Sequence, residues 1–140
     1  MQHRWVAVAA VVLSLASAAG WAADQGKEKA AETAALQWLA LVDNGRYGES
    51  WSQSSAVFRQ AISQEQWEQA LQKVRTPLGK LVSRKLASAT HAVNLPGAPE
   101  GEYVVLQFST SFEHKKDVVE TVTPMLEKDG AWRVSGYFVK

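Results

Sequence analysis

No cysteine occurs anywhere in the chain. Disulfide bonds are therefore excluded, and whatever compartment the protein occupies, its core alone must hold it together. The lipid-anchored form of a bacterial export signal is excluded too, since that form requires a cysteine. Neither sign of charge is in excess, with 15 basic against 14 acidic residues. A neutral chain with dispersed charges offers no electrostatic case for nucleic acid or for an anionic membrane surface. Glycine-rich phosphate loops and G-x-S-x-G elbows are absent. No segment repeats, and no apolar run reaches the roughly 20 residues that a membrane-spanning helix needs.

What is present begins with an address. His3 and Arg4 precede an apolar run from Trp5 to Ala19 that is broken only by Ser14 and Ser17, and small residues follow. This layout predicts a cleaved secretory signal peptide over residues 1–22, cut between Ala22 and Ala23, with Ala18-Ala19 as the second choice. Arg4 is the one charge in that segment, so its removal brings the basic residues to parity with the acidic ones. The expected location is the periplasm or the exterior. Residues 23–29 read as a polar linker and residues 30–140 as a single domain.

The first half of that domain carries helical spacing. Ala35, Trp38, Leu39 and Val42 fall at i, i+3, i+4 and i+7, and Asn44-Gly45 supplies a stop. Arg46 to about Ser54 predicts a second short helix, continued by Ala56-Val57-Phe58. Ser63-Gln64-Glu65-Gln66 has the form of a capping box. The helix it opens sets Trp67, Ala70, Leu71 and Val74 on one face, and Pro77 ends it. The four tryptophans beyond the leader, Trp38, Trp51, Trp67 and Trp132, read as core or as a wall on which a ligand could stack.

The second half alternates. Lys80 to Leu95 reads as one bent strand or two collinear ones, 94–101 as a loop, and Gly101 to Lys140 as three further strands. Val104, Leu106, Phe108, Thr110 and Phe112 form the heavier apolar face and should meet the helices. Asp129-Gly130 predicts a two-residue hairpin turn, which sets Glu127 opposite Trp132, Met125 opposite Val134 and Thr121 opposite Phe138. That register gives the core Trp132, Val134, Phe138, Met125, Thr121 and Thr123. It turns Glu120 away from the core. It also leaves Tyr103, Val105, Val122, Tyr137 and Val139 on an outer face too apolar for free solvent, suited to a homodimer contact or to cover by a terminal segment. The plan is α+β: three N-terminal helices packed on one strongly curved antiparallel sheet of about four strands.

Several stretches in order carry a resemblance: Trp38-Leu39-Ala40-Leu41-Val42-Asp43, Leu81-Val82-Ser83-Arg84-Lys85, Leu95-Pro96-Gly97-Ala98-Pro99, Gly101-Glu102-Tyr103-Val104-Val105, Glu120-Thr121-Val122-Thr123-Pro124-Met125, and the ending Asp129-Gly130-Ala131-Trp132-Arg133-Val134-Ser135-Gly136-Tyr137. Together they resemble the bacterial family catalogued as domain of unknown function 4019. That family is similar to the nuclear-transport-factor-two-like superfamily. The resemblance implies an exported single-domain protein and a cone-like fold, of the cystatin or nuclear-transport-factor-two-like kind, with a pocket between helices and sheet. It implies no activity and no catalytic residues.

Candidate chemistry is sparse. His91, in the first strand, is the one weak candidate for acid–base catalysis, and a lone strand histidine is more often structural. Glu113-His114-Lys115-Lys116-Asp117 reads as a solvated hairpin loop rather than a metal site, and neither metal nor cofactor is expected. Ser83-Arg84-Lys85 puts two cations on opposite faces of a strand. An inward one requires a carboxylate such as Asp43, Glu49 or Glu102, while the plainer reading is an edge charge. Three functions remain open. The leading one is a non-catalytic module that binds a small apolar or amphipathic ligand between Trp38, Trp67, Phe108, Thr110, Thr121 and Trp132. The second is a protein-interaction or homodimerisation module using the outer face, and the third a small isomerase or hydrolase built on His91.

Overall fold

The computed structural model describes the backbone of residues 2–140, and the side chains of residue 20 and residues 22–140. Four helices come first: α1 (Gln2–Asp43), α2 (Tyr47–Ser52), α3 (Ala56–Ala61) and α4 (Gln64–Arg75). A single 3-10 turn at Thr76–Leu78 leads into β1 (Leu81–Val93), β2 (Glu102–Phe112), β3 (Lys115–Leu126) and β4 (Trp132–Val139). The strands form one antiparallel meander in the order β1-β2-β3-β4, so the class is α+β. Among the described residues, no helix is long and apolar enough to cross a membrane. The expected leader lies mostly outside the residues whose side chains are described.

Local chemistry explains the helix ends. At Asn44-Gly45, Gly45 takes φ +75°, Arg46 N–H donates to Leu41 O at 2.9 Å and Gly45 N–H to Val42 O at 3.1 Å. This paired closure satisfies carbonyls that the helix leaves open. The capping box at Ser63 and Gln66 is complete, with both reciprocal hydrogen bonds at 3.2 Å. Four helices stand where three were expected, because Ser55 caps the Ala56–Phe58 turn as a helix of its own by accepting from Phe58 N–H.

The linker expected at 23–29 is helical instead, part of α1. No proline interrupts residues 20–43, and the segment is anchored by tertiary contacts. Lys27 Nζ meets Glu102 Oε1 at 2.6 Å, and Glu102 Oε1 also lies 3.0 Å from His91 Nε2. Polar composition alone does not mark a linker when its charges have partners on the sheet.

The core forms where α1 lies on the sheet, with α4 packed on α2 beside it. Ala31, Ala35, Trp38, Leu39 and Val42 face Val104, Leu106, Phe108, Val122 and Val134. On α4, Trp67 and Leu71 are buried, but Val74 is exposed and Arg75 takes the place expected for it. Two register shifts in β1, between Leu81 and Ser83 and between Leu86 and Ser88, bend that strand.

The β3–β4 hairpin differs from expectation in a way that decides the faces. Gly130 alone takes a positive φ, +85°, in a three-residue loop closed by Gly130 N–H to Glu127 O and Glu127 N–H to Ala131 O, both 2.9 Å. Leu126 therefore faces Trp132, and Pro124 faces Val134. A shift of one residue sends every β3 side chain to the opposite face. A second shift between Val122 and Pro124 restores the expected pairing beyond it, Val122 with Tyr137 and Thr121 with Phe138. Pro124, with no N–H to give the ladder, sits beside that bulge. As a result Val118, Glu120 and Val122 point at the helices. Thr121 and Phe138, expected in the core, lie outside, Phe138 with 70% exposure.

The Lys27–Glu102 pair has a defined pH signature. Hydrogen bonds from Lys27 and then His91 hold the Glu102 carboxyl below its ordinary value of 4.5, while the hydrogen bond to Glu102 raises Lys27 above 10.5. The carboxylate's contribution is thus complete above pH 4.5 and is lost as pH falls through the depressed value. The amine's is complete below pH 10.5 and is lost as pH rises through the raised one. An NMR titration should place the Glu102 midpoint below 4.5 and move it upward in Lys27→Met; an unmoved midpoint would show that the pair does not form.

Candidate functional site

Aromatic rings fill the space between helices and sheet. Trp38 and Trp67 lie 6.0 Å apart between centroids, Trp38 meets Tyr137 edge-on at 5.4 Å, and Phe58 meets Trp67 edge-on at 4.9 Å. Buried serines satisfy the indole N–H groups. Trp38 Nε1 donates to Ser50 O at 2.9 Å and Ser54 Oγ at 3.0 Å, and Trp67 Nε1 to Ser50 Oγ at 3.0 Å. Phe108 completes this packing with 1% exposure. Of the six residues expected to line a central pocket, Trp38, Trp67 and Phe108 are core, Thr110 is buried beside them and Thr121 is on the far face. Trp132 stands at the margin.

Beneath the rings lies a knot of charge. Glu120 is fully buried, contrary to its expected outward direction, and each of its oxygens accepts twice. Oε1 takes Arg84 Nε and Thr110 Oγ1, both at 2.7 Å, while Oε2 takes Arg84 Nη2 at 3.2 Å and the Tyr137 hydroxyl. Arg84 then forks to Asp43, from Nη1 to Oδ2 at 2.7 Å and from Nη2 to Oδ1 at 3.0 Å. Arg75 Nη2 reaches the same Oδ1 at 2.8 Å. Two guanidiniums and two carboxylates thus balance, with Arg84 facing inward onto Asp43, one of the partners expected for it. Arg75 Nε and Nη1 have no hydrogen-bond partner among the described residues, but the guanidinium sits 4.6 Å over the Phe112 ring, whose negative face complements it.

The electrostatics follow the contacts. Burial on its own would depress Arg84, yet hydrogen bonds to Asp43 and Glu120 and their charges hold it above its ordinary value. Burial, then the Glu120 charge and hydrogen bond, raise the Tyr137 phenol well above its ordinary range. With all four acceptor positions filled, Glu120 has no free lone pair with which to take a proton from a substrate.

The other candidates scatter. His91 is on the helix side of β1, near Glu102 and Asp24, and lines neither groove described below. Among the described residues no group of three or more His, Asp or Glu side chains could hold a metal ion. Of the five residues expected on the outer face, Val122 and Tyr137 belong to the core side. Val139 pairs with Glu120 and shares its side, and Tyr103 is covered by the 94–101 loop through its hydroxyl bond to Pro99 O at 2.6 Å. Val105 stays outside, half-buried.

Open space occurs at the edges of the sheet. One groove, of about 870 Å³, lies between the start of α3, the 93–102 connection and the β3–β4 hairpin, with Val57, Val93, Pro99, Met125 and Leu126 as its apolar surface. Its rim is held by Arg133, which bonds Glu127 Oε1 at 2.8 Å and Asp129 Oδ2 at 2.9 Å. Glu127 Oε2 in turn accepts from Ala56 N–H at 3.0 Å and ties α3 to the hairpin. A second groove, of about 460 Å³, runs between α1, α2 and the start of β4. The sequence carried no motif for either, because each is assembled from segments far apart in the chain.

Replacing one member of a buried ion cluster strands the others. Glu120→Gln should lower stability by about 3–5 kcal/mol in urea unfolding, because it leaves Arg84 and Arg75 with a single carboxylate. A loss below about 1 kcal/mol would contradict the buried geometry.

No curated protein and no solved structure matches the chain. A family model described as "Protein of unknown function (DUF4019)" matches residues 34–137, from the core face of α1 to the Tyr137 that caps Glu120, and the chain belongs to that family.

Proposed function

We propose that this is an exported, non-catalytic module that binds a small amphipathic ligand in the groove between α3, the 93–102 connection and the β3–β4 hairpin. The observation that carries the reading is the contrast between two regions. Aromatic side chains pack the centre, where a cone-like plan would put a pocket, while an open groove with an apolar surface lies at the sheet's end. Ligand sites are concave and largely apolar, with a few polar groups that fix orientation. Here Val57, Val93, Pro99, Met125 and Leu126 suit an apolar body, and the Arg133–Glu127–Asp129 rim suits a polar head. Export is supported by the basic start, the apolar run from Trp5 to Ala19 and the small residues after it.

Val93 is the natural position to test, being 60% exposed and thus free to change without disturbing the core. The fluorescent apolar probe N-phenyl-1-naphthylamine should bind the protein, and Val93→Asp should weaken binding about tenfold by setting a charge against the apolar body. Equal affinity in the variant, or no binding by the natural protein, would overturn the assignment.

A further inference from the structure

Trp132 differs from the other three tryptophans whose side chains are described. Trp38, Trp51 and Trp67 each donate the indole N–H to an internal oxygen, at 2.8–3.0 Å. The Trp132 N–H has no acceptor among the described residues, and its half-buried ring forms part of the wall of the second groove. Tryptophan at a boundary presents an apolar face and one donor to whatever meets it.

Two amides lead the groove's other polar groups. Gln37 on α1 and Gln53 just after α2 are exposed, and neither amide side chain bonds to another described residue. Glu49 adds acceptor oxygens, each of which also meets the exposed Arg46 guanidinium, at 3.3 Å and 3.2 Å, while Arg133, the cation among the lining residues, is committed to Glu127 and Asp129. An amide offers both donors and acceptors without net charge. An aromatic face flanked by two free amides, a carboxylate and a free indole N–H matches a flat ring that carries hydroxyls on its edge. It does not match an anion, for which the lining offers no uncommitted cation, and it offers too much polar edge to a plain hydrocarbon.

We infer that the groove beside Trp132 is a binding site for a neutral sugar ring, which stacks on the indole and bonds through its hydroxyls to Gln37, Gln53 and Glu49. This site is separate from the apolar groove and does not depend on the reading given for it. With few contacts in an open cleft, affinity should be weak, with a Kd on the order of 1 mM.

The test uses the full chain, with the indole N–H signals resolved in a proton–nitrogen correlation spectrum. Cellobiose and N,N′-diacetylchitobiose are the probes, and glycerol, an acyclic polyol, is the control. At least one of the sugars should move the Trp132 signal saturably while the Trp51 and Trp67 signals, whose rings do not line the groove, stay in place, and glycerol should not. The exposed double variant Gln37→Ala/Gln53→Ala, which leaves the core untouched, should weaken the sugar about tenfold through two lost hydrogen bonds. Saturable movement by neither sugar, an equal response to glycerol, or an unchanged curve in the double variant would each overturn the site.

Discussion

Arg84 forks between two carboxylates that come from distant parts of the chain: Asp43 is the last residue of α1, and Glu120 lies in the middle of β3. Through that guanidinium, α1, β1 and β3 share one set of hydrogen bonds, and Arg75 adds the end of α4. A buried charge without partners would be intolerable, so each element has one acceptable placement relative to the others. Apolar packing could bring these elements together in several ways. In the observed arrangement every carboxylate of the knot has a guanidinium partner, and Tyr137 links it to the packed tryptophans.

The centre is taken up by packed rings and by a carboxylate whose oxygens each accept twice. The two grooves lie instead beside the β3–β4 hairpin. Both grooves border Arg133, whose bonds to Glu127 and Asp129 stiffen the β3–β4 turn. Glu127 also reaches the first backbone N–H of α3, so the walls of the larger groove are tied to one another rather than left as independent loops.

Much of this was legible in the chain, and the misreadings have physical causes. The stripe through Ala35, Trp38, Leu39 and Val42 marked the core face of α1, Ser63 and Gln66 announced their capping box, and Val104 to Phe112 marked the inner face of β2. The β3 and β4 faces were misassigned because Asp129-Gly130 suits both a two-residue turn and a three-residue loop with a single left-handed glycine. One residue of difference there reverses Glu120, Thr121 and Val122 together. Pro124 and Gly136 held the missing signal: a proline that cannot join a ladder, near a glycine on the partner strand, marks a bulge that alternation alone overlooks. Ser83-Arg84-Lys85 reads most plainly as an edge charge, with Asp43 as one of three partners for an inward cation, whereas Arg84 is in fact buried on Asp43 and Glu120. The arrival of Glu120 and Arg75 at the same point depended on three-dimensional closure, which no spacing expresses.

If the charged knot is purely structural and ligand binding belongs to the edges, apolar packing of the same shape should replace the knot without loss of binding. The most direct measurement is the affinity of a variant whose knot is made apolar, with Arg84→Met, Glu120→Leu, Thr110→Val and Tyr137→Phe together, which keeps Asp43 paired with Arg75. The expected result is a folded protein, within about 2 kcal/mol of the natural stability or above it, that binds the apolar probe as before. A variant that folds but no longer binds would contradict it, and would place the functional centre at Glu120 after all.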